Sequence, residues 1–493
     1  MKPAAPFALA CASLASVFLA FAAPAQGAIG VGVTDDTLLG HPDRGAAFLA
    51  LMNDIGLDEL RLPVRWDPSR PGTIQNGAQT RAVLPVADLR GVNIAFSFQP
   101  SNATALTSSP AATARFIAFM QRVMRTFPTV KTAIVGNEPN QPFFWQPQFD
   151  AQGENVAPQA YEALLAASYD ALKAVDPRIN VVGLGLSSRG NDNPRATGKG
   201  STSPVRFLLG VGTAYRASGR TRPLMDALGY HPYPRRDTDS LEDGISWPNA
   251  GAANLDRIKQ AFWDAFHGTG QKTFEDGLPL RLDEVGWQVA VPRPALHAYT
   301  GKETVSPTTE ATQASIYASL VRYAACDPAV QTLLFFGLED EPNLARWQAA
   351  MIRADGTPRP SYASVRATLA ATGGRCVGTM RSWRHSTTVD GAAARFPRSR
   401  RLPRRVRSWS FLASAEEDAR FRAGVYRLRR GHRGRRVLRE SGRLPAYRMR
   451  QVRLPARRLR PGRYVYSIRI RAAANNERTT RLTSRPFVVY RHH

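Results

Sequence analysis

The sequence predicts an α/β protein, a (β/α)8 TIM barrel followed by a smaller C-terminal all-β sandwich. Three observations lead there. Eight short apolar runs alternate with amphipathic stretches between residues 29 and 375, the apolar period drops to two beyond residue 405, and the charge divides between those regions. Eight strand–helix units are the number that closes a barrel of parallel strands with helices outside. The rival is an open doubly wound sheet, but no Gly-rich phosphate turn follows the first run to support it.

The runs cover 29–33, 59–65, 91–98, 132–136, 179–186, 225–230, 279–286 and 330–337. They are short and apolar, as strands buried on both faces should be. After the first, Pro42 opens a helical pattern with Phe48, Leu49, Met52 and Ile55 on one face. After the fourth, Pro158 opens another with Tyr161, Leu164, Leu165 and Leu172. After the sixth, Leu255, Ile258, Phe262 and Phe266 recur at helical spacing.

Residues 1–25 read as a secretory leader. Lys2 supplies the positive start, 7–22 are apolar, and Ala23-Pro24-Ala25 forms a small-x-small cleavage pattern. Cys11 lies inside that run without the spacing of a lipidated cysteine. The expectation is a secreted or cell-envelope-associated protein with no transmembrane segment in its mature chain, since nothing further on is long and apolar enough to span a bilayer. Cys326 and Cys376 remain. They follow the seventh and eighth helical stretches, so both fall at the bottom of adjacent elements, and a disulfide with Cα atoms within about 7 Å is expected.

The barrel is assigned to 26–376, an Arg-rich linker to 377–404 and a basic sandwich to 405–493. Alternation of Tyr464, Tyr466, Ile468 and Ile470 with Val465, Ser467, Arg469 and Arg471 marks a half-buried strand, one of five to seven expected. Residues 377–493 hold 32 Arg, no Lys and 6 acidic residues, whereas the rest of the chain is almost balanced, so nearly all of the net charge of +27 sits in the tail. A codon preference explains missing Lys but not missing acids. Such a surface attracts polyanions, an anionic cell-envelope polymer among them. No nucleic-acid motif accompanies it, which argues against nucleic acid as the partner.

The chemistry centres on two glutamates at strand ends. Ile134-Val135-Gly136-Asn137-Glu138-Pro139-Asn140 closes the fourth run, and Leu282-Asp283-Glu284-Val285-Gly286-Trp287 closes the seventh. In a barrel both would face one cleft at the carboxyl ends of the strands. Two carboxylates across a cleft are what glycosidic cleavage needs. No Gly-x-Ser-x-Gly elbow, Walker loop, His-Glu-x-x-His or paired-Cys metal spacing competes with them, and no metal or cofactor is implied.

Asn-Glu-Pro at the fourth strand and a glutamate at the seventh resemble glycoside hydrolase clan A, including families 5 and 39. Arg61 resembles that clan's second-strand arginine, and His231-Pro232-Tyr233 its His-x-Tyr pair. The resemblance implies a retaining β-glycosidase with Glu138 as acid/base and Glu284 as nucleophile. In that scheme Arg61 keeps Glu284 ionised, Tyr233 orients it, and Asn137 holds a sugar hydroxyl. Read alone, Arg61 also fits a barrel-core ion pair and His231-Pro232-Tyr233 a loop turn. One departure stands out: the clan's eighth-strand tryptophan is missing, with Phe335 or Phe336 in its place, before Glu339, Asp340 and Glu341, which read as a solvated loop. Trp145 and Trp287, with Phe143, Phe144 and Trp66, follow strands and are candidates to stack on sugar rings. The alternative from another class is a non-catalytic carbohydrate- or cell-wall-binding protein on the same barrel.

Overall fold

A computed structural model describes residues 27–490, apart from 197, 400, 404–408, 456–458 and 476. The leader expected over 1–25 lies outside the described residues. Strands β1 (Gly30–Thr34), β2 (Glu59–Trp66), β3 (Asn93–Pro100), β4 (Thr132–Val135), β5 (Asn180–Ser187), β6 (Ala227–His231), β7 (Leu280–Val285) and β8 (Val330–Phe336) pair in parallel, each with the next. β8 pairs with β1, and the sheet closes. Each strand overlaps one of the eight runs.

Helices α1 (Ala46–Ile55), α2 (Gly77–Leu89), α3 (Pro110–Thr126), α4 (Ala157–Val175), α5 (Pro204–Ser218), α6 (Leu255–Phe266), α7 (Glu310–Ala325) and α8 (Pro360–Thr372) follow their strands in order. Their starts are chemically marked. The Ser109 hydroxyl accepts the Ala112 amide at 3.2 Å ahead of α3, and Thr309 accepts the Thr312 amide at 3.1 Å ahead of α7. The start of α1 differs from the sequence expectation. Arg44 and Gly45 take left-handed backbone angles, φ 60° and 74°, so the helix opens at Ala46 rather than at Pro42.

The barrel lumen is divided. Ala95, Ile134, Val182 and Ala227, from β3 to β6, form a small apolar cluster. On the other side Arg281 donates to Glu59 and Asp283, both at 3.3 Å. The β1–β2 approach there leaves no room for a side chain at Gly32, where a Cβ would stand 1.6 Å from the Glu59 carbonyl oxygen. Cys326, which ends α7, is bonded to Cys376, past α8, with Cα atoms 4.6 Å apart and a sequence separation of 50. Closing a loop of that length contributes about 4 kcal/mol in the chain-entropy account.

The second domain is built from β9 (Ala393–Arg395), β10 (Arg401–Pro403), β11 (Trp409–Ser414), β12 (Ala419–Arg429), β13 (His432–Leu444), β14 (Arg450–Leu454), β15 (Gly462–Ala472), β16 (Thr479–Thr483) and β17 (Phe487–Tyr490). One sheet runs β10-β17-β15-β12-β13 with β16 on β15; the other runs β14-β11-β9. Trp409, Phe411, Phe421, Tyr466, Ile468 and Phe487 are buried in its core. The linker assigned to 377–404 is corrected: β9 and β10 fall inside it, and Val389 packs into the same core. Strands of three residues are too short to show a period of two.

A buried ionic hub joins the domains. Arg478, at 3% exposure, lies 3.0 Å from Asp264 on α6, 2.8 Å from Glu417 and 3.2 Å from Asp390. Asn475 adds a 3.2 Å bond to Asp264. Burial pushes the Glu417 carboxyl up to about 7, against the opposing pull of Arg478. At the margin Arg206 bridges Asp192 and Asp418 at 2.8 and 2.9 Å.

Candidate active site

The carboxyl ends of the strands enclose a cleft of about 450 Å³. Its floor is laid down by β2, β4, β6 and β7. Along β2, side chains two residues apart share a face, so Arg61 and Arg65 both face inward, one deep and one at the rim. Arg61 is fully buried. It donates to one oxygen of Glu284, to Asn137 Oδ1 at 2.6 Å and to the Ser97 hydroxyl at 2.9 Å. The other Glu284 oxygen accepts the Tyr233 hydroxyl at 3.0 Å. His231 Nδ1 is 3.0 Å from Glu138 and 3.6 Å from Glu284. The buried His231 Nε2 has no hydrogen-bond partner. A proton on Nδ1 points at the Glu138 carboxylate.

Glu138 is held by its backbone. Gly136 and Glu138 take positive φ values of 83° and 39° where the chain leaves β4. The Glu138 amide donates to the Gly185 carbonyl at 3.0 Å, at a bulge in β5. The Tyr161 hydroxyl spans the same gap, donating to the Val135 carbonyl and accepting the Leu184 amide, both at 2.7 Å. Asn140 completes the tie. Its amide donates to the Ser187 and Thr202 carbonyls at 3.1 and 3.0 Å, and its oxygen accepts the Ser187 amide at 3.0 Å. A side chain satisfied on both atoms in a buried place makes a rigid pin. The second asparagine of the Asn-Glu-Pro-Asn stretch thus positions the loop that carries Glu138.

The electrostatics separate the groups. Burial alone would raise the Glu284 carboxyl, but the charges of His231 and Arg61, with the hydrogen bonds from Arg61 and Tyr233, hold it below its ordinary value. Tyr233 goes far the other way, through burial first and then the nearby charges of Glu284 and Glu138, so it remains a donor. One ligand atom each of Glu138, His231 and Glu284 lies within 4.8 Å of the others. That set has the composition of a metal site. Yet Arg61 and Tyr233 already donate to both Glu284 oxygens, and these donors complement an anion rather than admit a cation.

The structure brings Arg61, Asn137, Glu138, His231, Tyr233 and Glu284 together. It does not bring in Trp145 or Trp287. Trp145, at 5% exposure, packs edge-on against Tyr161, and Trp287, at 1%, donates its indole N–H to the Asp239 carbonyl. Neither offers a free face to a sugar, and both are corrected to packing residues, as is the buried Trp66. At the rim of the cleft stand the exposed Phe143 and the half-buried Phe144, a pair with ring centroids 4.9 Å apart.

The cleft holds a tryptophan that the sequence reading missed. Trp347, eleven residues beyond the end of β8, enters the cleft with its ring 4.7 Å from Tyr233 and 5.8 Å from Phe336. Asp340 is corrected too. It is buried, 2.5 Å from Arg359 and 2.7 Å from the Tyr299 hydroxyl, and only Glu339 and Glu341 of that cluster reach the cleft. Asp35, another cleft residue, accepts the Leu338 and Glu339 amides at 2.8 and 3.3 Å and so ties the β1 loop to the β8 loop. Burial pushes its carboxyl up to about 6, partly offset by those amides and Thr37. Trp347→Ala should raise KM for a carbohydrate bound in this cleft by roughly tenfold, the worth of one aromatic face. Steady-state kinetics with an unchanged KM would remove Trp347 from the site.

No protein-family model matches the chain, and no curated protein sequence does. Among solved structures, one similar chain is a family 39 glycoside hydrolase from the gut symbiont Bacteroides cellulosilyticus WH2, at 14% identity and TM-score 0.49, covering 87% of this chain and 80% of that one. A glucosidase from Croceicoccus marinus is similar at 13% identity and TM-score 0.48, with coverage of 88% and 94%. A GH5_18 protein from Streptomyces cattleya, in complex with GlcNAc, is similar at 14% identity and TM-score 0.45, with coverage of 77% and 85%. These are likenesses of overall shape, and the chemistry of the cleft rests on its own residues.

Proposed function

We propose that the protein is an exported glycoside hydrolase that cleaves β-glycosidic bonds of an oligo- or polysaccharide with retention, by double displacement. The observation that carries this reading is the approach of the two carboxylates, whose nearest ligand atoms lie within 4.8 Å of each other. Retention calls for carboxyl groups about 5–5.5 Å apart, whereas inversion needs roughly 6.5–9.5 Å to admit a water.

In this scheme Glu284, held ionised, attacks the anomeric carbon. Glu138 gives its proton to the glycosidic oxygen, which leaves as an alcohol. The carbon–oxygen bond broken is replaced by one to Glu284, and charge balances. Glu138, now ionised, then takes a proton from water, whose oxygen attacks the same carbon and frees Glu284. As the carboxylate loses charge to the sugar, the Arg61 and Tyr233 hydrogen bonds weaken, and they strengthen again on its release. The imidazole of His231 sits between both carboxylates and lowers their mutual repulsion. A carbohydrate-binding protein on the same barrel would have no use for a buried arginine–carboxylate pair facing a second carboxylate.

The test is stereochemical. Proton NMR of an aryl β-glycoside digest, drawn from a panel of sugars, should show the β-anomer of the product first, with the α-anomer arriving only by mutarotation. The α-anomer as first product would overturn double displacement, and no turnover of any panel member would favour the binding protein.

A further inference from the structure

The geometry points to a second carbohydrate-binding surface, on the outer face of the larger sheet of the sandwich, that holds a carboxylate-bearing polysaccharide. Antiparallel partners share a face, so the register places side chains in rows across the strands. Arg443, Arg420 and Arg471 stand side by side on β13, β12 and β15. Two residues along, Arg422, Arg469 and Arg481 do the same on β12, β15 and β16. Five of the six are exposed and Arg471 is half-buried. Neighbouring strands are about 4.8 Å apart and the rows about 7 Å apart, so six cations occupy one small patch. The guanidinium of Arg469 is pulled below its ordinary value by Arg471, by partial desolvation, and by Arg481 and Arg422.

The counter-charges are elsewhere. Asp390 and Glu417 close on Arg478, Asp418 on Arg206 of the barrel, and Glu477 on His267 of the barrel. Most of the domain's few acids are thus drawn to the edge that meets the barrel, and among the described residues none lies in salt-bridge range of the six arginines. A codon preference for Arg does not sort charges in this way. Crowded like charges held without partners are stabilised by a bound polyanion.

The remaining residues of the two rows narrow its chemistry. They are Thr479 and Ser441, which hydrogen-bond but do not insert. No bulky apolar side chain stands in these rows to enter a bilayer, and no aromatic ring to stack a base. Planar guanidinium forks match carboxylates and phosphates alike, so the six arginines fit the uronate of a polysaccharide, and the phosphate-bearing alternatives are separated by the test. The cleft points the same way: Arg65 and Arg189 line it without a carboxylate partner among the described residues. The choice of a polysaccharide over other polyanions rests on the proposed glycosidase reading; the presence of an anion site does not.

The test is binding of polygalacturonate, with its fully methyl-esterified form as the uncharged control. The full chain carries Glu284→Ala, so turnover does not enter the readout, and failure here leaves the stereochemical assay untouched. Affinity for polygalacturonate should fall by roughly tenfold or more between about 50 and 200 mM salt, and the esterified form should not bind. Adding Arg420→Ser, Arg422→Ser, Arg469→Ser and Arg471→Ser should cost a similar factor. The same number of serines at the exposed barrel positions Arg81, Arg90, Arg115 and Arg125 should cost little. Equal loss in both variants at unchanged thermal stability, or binding that ignores salt, would overturn the proposal. So would tighter binding to phosphatidylserine vesicles or duplex DNA than to polygalacturonate at equal salt.

Discussion

Glu284→Ala is expected to lower turnover of an aryl β-glycoside by about 10⁴-fold or more, the scale on which loss of a nucleophile is felt. Sodium azide should restore part of the rate. Azide is small enough to enter the space left by the carboxylate and attacks the anomeric carbon from the same face. Glu138 still protonates the departing oxygen, and the product is the α-glycosyl azide. A rate close to wild type in this variant would take Glu284 out of the mechanism. Rescue yielding the β-glycosyl azide would reverse the roles of the two glutamates.

The second large effect is expected at Arg61. Arg61→Met removes the guanidinium that, alone among the described residues, bonds Glu284, and leaves a buried carboxylate without its closest cation, which costs about 3–5 kcal/mol of stability in comparable settings. It also removes one of the influences that hold Glu284 below its ordinary value against burial. The Glu284 carboxyl then rises, and the ionised form needed for attack is lost at a higher pH. The acid limb of the kcat/KM profile should therefore move upward, with the rate recovering toward the alkaline side. Arg61→Lys should not restore the profile, because an ammonium cannot bond Glu284, Asn137 and Ser97 in one plane. A loss that is the same at every pH, in a chain that still melts cooperatively, would reduce Arg61 to a packing role.

The barrel was legible because burial on both faces leaves an uninterrupted apolar run, and eight such runs are hard to arrange in another way. Five of the six polar residues at the cleft were legible because each sits within a few residues of a strand's carboxyl end, whereas Arg61, inside β2, was singled out by the family resemblance. What was misread lies in loops. Trp145 and Trp287 also follow strands, yet one wedges under Tyr161 and the other turns its indole to Asp239. Sequence position placed them near the cleft, but neighbours far along the chain decided their direction. Trp347 was invisible for the converse reason. It belongs to an aperiodic loop, and only the return of that loop over Tyr233 and Phe336 brings it to the cleft. Asp340 looked solvated because its partner, Arg359, is nineteen residues away and the pair forms only when the β8 loop folds back. The one available signal was the unusual crowding of three acids next to a strand.

The left-handed backbone at Glu138 sets the working part of the molecule against its own durability. A side chain at φ 39° is disfavoured by about 1–2 kcal/mol relative to glycine, and it is held there by the Gly185 carbonyl, Tyr161 and Asn140. Glu138→Gly should therefore melt slightly higher than the parent in calorimetry while losing most of its turnover, since the local strain and one of two crowded carboxylates vanish together. A lower melting point would mean that the backbone is at ease with the glutamate. A chain selected for heat resistance alone would drift toward glycine here, so a glutamate kept at this angle marks the place where activity has been favoured over stability.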